Sequence, residues 1–109
     1  MKCLFLYGLP GAGKRTIGRE LERITGYPLL DNHKILDLVR PIIPRKYPQS
    51  NRLSRAFRIQ ILEHVLEMEY EGIIMTAAGG AEGATEHVRD CMALIEGRGG
   101  VVHFIELNC

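Results

Sequence analysis

The chain has 109 residues, 46% of them hydrophobic and 25% charged, with a formal net charge of +1. That balance belongs to a globular domain large enough for its own core, and no apolar run approaches the roughly 20 residues of a membrane span. The net charge selects no partner, and three cysteines (Cys3, Cys91 and Cys109), odd in number and without metal-type spacing, argue against a disulfide framework and fit reduced thiols.

One domain over 1–109 is expected, and because the first apolar run is far too short for a secretory leader, a cytoplasmic one. That run, Cys3-Leu4-Phe5-Leu6-Tyr7, reads as a buried strand. It leads into Gly8-Leu9-Pro10-Gly11-Ala12-Gly13-Lys14-Arg15-Thr16, a candidate phosphate-binding loop. Gly8, Gly11 and Gly13 let the backbone curl round a polyanion and aim its N–H groups at the oxygens, with Ala12 adding no bulk between them. Lys14 can reach the β- and γ-phosphates, the following helix N-terminus adds partial positive charge, and Thr16 offers a hydroxyl to phosphate or to metal-bound water. The strict motif has Ser or Thr immediately after the lysine, where this chain has Arg15, so a bound Mg²⁺ would lean on phosphate oxygens, water and a carboxylate from elsewhere.

Ile17, Leu21 and Ile24 continue at helical spacing until Gly26. Tyr27-Pro28-Leu29-Leu30 is a short extended run ending at Asp31-Asn32-His33, and Lys34 to Arg40 reads as a short helix stopped by Pro41. The proline-punctuated stretch 41–48 is expected to pack over the active face. Ser50 is the expected N-cap of the longest helix, with Leu53, Phe57, Ile61, Val65 and Met68 as its inner stripe and Gly72 as its stop. Ile73 to Thr76 is a second buried strand, followed by the small residues Ala77-Ala78-Gly79-Gly80-Ala81, which permit close approach of a ligand. Thr85 is the expected cap of a helix with Val88, Cys91, Met92 and Ile95 inward, and Val101 to Ile105 is the last strand. The order β-α-β-α-α-β-α-β predicts a three-layer α/β fold, a short parallel sheet of about four strands with helices on both faces. Ligands of such sheets sit beyond the carboxyl ends of the strands, which gathers the glycine loop, Asp31 to His33, Thr76 to Gly80 and Leu107 to Cys109 at one edge.

With those motifs in that order, the chain resembles the shikimate-kinase-like branch of P-loop small-molecule kinases, within the nucleoside monophosphate kinase superfamily. The stretch from Gly8 to Leu21, GLPGAGKRTIGREL, carries the likeness most specifically. The resemblance implies ATP and Mg²⁺ as cofactors and transfer of the γ-phosphoryl group to a hydroxyl of a small, anionic acceptor. It implies nucleotide binding by Gly8, Gly11, Ala12, Gly13, Lys14, Arg15 and Thr16, metal contact through Thr16 and Asp31, and acceptor binding by His33, Arg58, Gly79 and Gly80, with Lys14, Asp31 and His33 as the catalytic set. Arg15 is similar to the adenylate-kinase type of loop, His33 stands where the family has an acidic residue, and Ala77-Ala78 replaces part of a glycine run. The resemblance further implies an arginine-bearing lid and a last strand, segments this chain does not contain.

Each candidate has a plainer reading. Asp31 can cap the helix that follows, His33 can be a surface or capping histidine, and Arg58 can flank the core with its charge in solvent. Between Asp37 and Glu63 lie six basic residues, Arg40, Arg45, Lys46, Arg52, Arg55 and Arg58, and no acidic one. They form either a solvated face or an electropositive wall for an anionic acceptor or a nucleic acid. The rival classes are therefore a nucleic-acid-directed kinase or ATPase and a non-catalytic nucleotide-binding module. No membrane association is expected.

Overall fold

The computed structural model describes residues 1–8, 13–76 and 84–107. They form β1 (Lys2–Gly8), α1 (Lys14–Thr25), β2 (Leu29–Leu30), α2 (Asn32–Val39), α3 (Pro48–Glu67), β3 (Gly72–Thr76), α4 (Ala84–Gly97) and β4 (Val101–Leu107). All strand pairs are parallel, in the order β2-β3-β1-β4. This is the alternating α/β sheet expected from the sequence. Registers such as Phe5 opposite Met75 and Phe104 bring the carboxyl ends of the strands to one edge.

Alternate residues of each strand face opposite sides of the sheet. On one side Cys3, Phe5, Ile73 and Met75 form the core with Leu62 of α3 and Cys91 and Ile95 of α4. Burying side chains of the size of Phe5 or Ile73 contributes about 1.5–3 kcal/mol each. On the other side lies α1, whose Gly18 is close enough to Leu6 and Leu29 that an added Cβ would meet a Leu29 methyl at 3.1 Å. Cys3 and Cys91 are free thiols in the core, and burial pushes Cys3 up to about 12, with Cys91 nearby adding to the shift. Cys109 lies outside the described residues.

Five local expectations are corrected. α3 begins at Pro48 rather than after Ser50: proline is suited to the first helical position because its missing N–H is one that no helix bond would use, and Tyr47 is the N-cap. Ser50 lies inside the helix and is fully buried. The inner line of α3 is Ser50, Ser54, Arg58 and Leu62, whereas Leu53, Phe57 and Met68 are exposed. A stripe drawn through apolar residues alone misses this line, in which two of the polar groups find partners inside: Ser54 Oγ donates to the Ser50 carbonyl at 2.8 Å, and Arg58 bonds the Thr76 carbonyl. Gly72 does not end α3, which stops at Glu67. Gly72 instead opens β3, where an added Cβ would strike the Tyr27 ring. Finally, stretch 41–48 does not pack down: Ile42 is 79% exposed and only Ile43 is half-buried. α4 includes Ala84, so Thr85 falls within its first turn and is not its cap.

Candidate functional site at the carboxyl edge of the sheet

β1 delivers Gly8 to the edge with φ of 151°, and an added Cβ there would lie 2.4 Å from the Leu107 carbonyl oxygen, so only glycine lets β1 and β4 run side by side at this point. Gly13 follows as the N-cap of α1 with φ of 83°, a left-handed turn that aims the first helical N–H groups at the edge without a capping side chain over them. Gly11 and Ala12 lie outside the described residues, as do Gly79 and Gly80. Lys14 opens α1 and donates from Nζ to the Gly8 carbonyl at 3.0 Å, and burial lowers its pKa. The ammonium is thus turned back to the end of β1. Thr16 is exposed in the same turn.

Asp31, at the end of β2, is the N-cap of α2. Its Oδ1 accepts from the His33 N–H at 3.0 Å, and Oδ2 lies 3.2 Å from Arg15 Nε. That second contact has ion-pair distance without hydrogen-bond alignment, so Oδ2 is a buried oxygen with a charge beside it and no aligned donor among the described residues. The capping reading therefore describes one oxygen of Asp31, and the other belongs to Arg15. His33 is exposed on the first turn of α2.

Thr76 joins the parts. Its Oγ1 accepts from the Asn32 N–H at 3.0 Å, tying the ends of β2 and β3, while its carbonyl accepts from Arg58. Arg58 is 2% exposed, with its guanidinium carbon 5.6 Å from the Phe5 ring centroid. Cation–π contacts of this kind reach about 2 kcal/mol when desolvated. Burial lowers the Arg58 pKa, opposed by the nearby Cys91, Cys3 and Asp31, and an arginine stays cationic through such a shift. Its Nε has no hydrogen-bond partner among the described residues. Arg58 is therefore not a charge held out in solvent.

Lys14, Arg15 and Arg58 thus stand along one sheet edge with the buried Asp31 and the N-terminus of α1, an arrangement suited to a polyanion. Of the remaining basic residues, Arg45, Lys46 and Arg52 are exposed, while Arg40 and Arg55 are half-buried. A separate cleft of about 530 Å³, lined by Glu22, Tyr27, Glu69, Tyr70 and Glu71 among others, opens at the amino edge, away from these groups.

Mg²⁺ is the metal such a site would imply, and Asp31 as it stands does not fit one. One oxygen holds the α2 N-terminus, the other faces a guanidinium, and no group of three or more His, Cys, Asp or Glu residues among those described could hold a metal ion. Sequence reasoning placed Arg15 and Asp31 separately and missed their pairing. The signal was present in an arginine directly after the loop lysine and an aspartate at the end of β2, two positions that a parallel sheet brings to the same edge.

No protein-family model matches the chain. A shikimate kinase of Dechloromonas aromatica is 32% identical over 78 residues, covering 71% of this chain and 42% of the relative. Among solved structures, one described as a kinase from Chloroflexus aurantiacus superposes with a TM-score of 0.66 at 19% identity, covering 97% of this chain and 58% of the other. A shikimate kinase from Acinetobacter baumannii in complex with shikimate gives 0.54 at 21% identity, covering 94% and 54%. The chain is shikimate-kinase-like. Its four-stranded parallel sheet and flanking helices are the P-loop fold of those structures. The shikimate-kinase-like chain spans a little over half the length of the solved structures it matches and less than half that of the D. aromatica relative. Among its described residues, no helix is long and apolar enough to cross a membrane.

Proposed function

We propose that this shikimate-kinase-like chain is an ATP-binding kinase domain of the cytoplasm, acting by transfer of the γ-phosphoryl group to a hydroxyl of a small anionic acceptor. The observation that carries the proposal is the convergence of Gly8, the left-handed Gly13, the α1 N-terminus and Lys14 at the carboxyl edge. Phosphoryl transfer asks the protein mainly to position the phosphates and neutralise charge. Here Lys14 exchanges the Gly8 carbonyl for phosphate oxygens, the N–H groups of α1 meet the same anion, and any Mg²⁺ is brought in on the nucleotide.

On the acceptor side, Arg58 brings a cation to the carboxyl edge, with a buried Nε that has no hydrogen-bond partner among the described residues, and exposed His33 on α2 stands at the same edge. Gly79 and Gly80 complete this acceptor side in the proposal. The A. baumannii structure in complex with shikimate supports a small-molecule acceptor.

The experiment is transfer of label from γ-labelled ATP across a panel of hydroxy-carboxylates, shikimate included, against neutral polyols and single-stranded oligonucleotides. Transfer confined to the carboxylates is the expected result. Transfer to oligonucleotides alone would replace the acceptor assignment with a nucleic-acid one. ATP binding with no transfer to any acceptor would leave only a nucleotide-binding module.

A further inference from the structure

Asp31 is 1% exposed at its side chain and Arg15 is 51% exposed. A buried carboxylate without a counter-charge is costly, and among the described residues the groups facing Asp31 are few: the His33 N–H on Oδ1, the Arg15 Nε at 3.2 Å from Oδ2, and the charge of Arg58 from the core side. Among the described residues only Arg15 reaches the oxygen that the helix cap leaves open. It does so from the first turn of α1, next to Lys14, so one guanidinium lies beside both the carboxylate and the phosphate-binding edge. A guanidinium has five N–H donors and keeps its charge at any working pH, so turning one donor towards Asp31 leaves others for a phosphate oxygen.

We propose that Arg15 is the resident cation of Asp31: guanidinium and divalent metal are alternatives at that carboxylate, and ATP binding by this chain depends only weakly on Mg²⁺. The inference rests on the nucleotide-site reading and specifies how that site meets its charge. A metal ion approaching Asp31 must displace Arg15 or sit against its positive charge, so the carboxylate adds little to metal affinity while Arg15 is present. Removing Arg15 opens Oδ2 and restores the carboxylate as a metal ligand.

The test is calorimetric titration of the full chain with ATP in excess Mg²⁺ and in excess chelator, in the wild type, Arg15→Ala, and Arg15→Ala combined with Asp31→Asn. The ratio of the two dissociation constants is expected to stay below about fivefold in the wild type, to rise in Arg15→Ala into the roughly 5- to 150-fold range usual for coupled sites, and to fall back in the double variant. The double variant also carries no uncompensated buried carboxylate, which protects its folding. An unchanged or smaller ratio in Arg15→Ala, a gain that survives Asp31→Asn, or a large ratio already in the wild type would each overturn the inference while leaving the nucleotide site standing. A folded wild type that binds ATP in neither condition would remove the nucleotide reading and this inference together.

Discussion

Thr76 holds the edge of the site together through two different groups, and substitution can remove its hydroxyl while leaving its carbonyl in place. Its hydroxyl is the partner of the Asn32 N–H, and its carbonyl is the partner of Arg58. Thr76→Val keeps the shape and the carbonyl but leaves the Asn32 N–H without an acceptor. Because Asn32 is only half-buried, the cost should fall at the low end of the usual range, about 1 kcal/mol by urea denaturation. Thr76→Ser should restore most of it. Equal loss in both variants would assign the effect to the missing methyl instead. At this scale the sequence was informative about residue types and much less so about partners. Lys14, Asp31 and Arg58 were legible as charged groups at motif positions, but whether Asp31 faces a cap, a metal or a guanidinium depends on contacts between residues distant in sequence.

At the scale of elements, the strands and α1 were legible because their apolar runs and glycine stops are local signals, and α1 does end at Gly26, whose N–H bonds the Glu22 carbonyl. α3 was not, since its buried line passes through Ser50, Ser54 and Arg58, residues that count as polar in any periodicity. The same helix shapes the environment of His87 on α4. Burial, reinforced by the charges of Arg58 and Arg55 and opposed by Asp90, brings His87 down from 6.5 to about 4. Its Nε2 lies 3.9 Å from Cys91 Sγ.

Between those two pH values the unfolded chain holds a proton on His87 that the folded chain does not. The contribution to stability is therefore complete above about pH 6.5 and is lost as the pH falls towards about 4. Denaturation midpoints measured at pH 7, 5.5 and 4.5 should decline for the wild type and decline less for His87→Gln. Identical pH profiles for the two would show that His87 is not a source of the acid sensitivity.

At the scale of the whole molecule, the order β2-β3-β1-β4 places β1 between β3 and β4, so the strand that carries the glycine loop is paired on both sides. Gly8 and Gly13 can then hold their positive-φ geometry on a rigid base, and the ends of β2 and β3 deliver Asp31 and Thr76 beside them. This arrangement follows from alternating strands and helices in a parallel sheet, which is why the location of the site was legible before the identity of its contacts. The central claim is that this edge binds ATP through Lys14 and the α1 N-terminus. Thermal unfolding with and without excess ATP and Mg²⁺, on wild type and Lys14→Ala, tests it most directly. At a hundredfold excess over the dissociation constant the wild type should gain about 2.7 kcal/mol, and Lys14→Ala should lose most of that gain while unfolding cooperatively without ligand. A folded wild type whose melting does not move with saturating nucleotide would contradict the account.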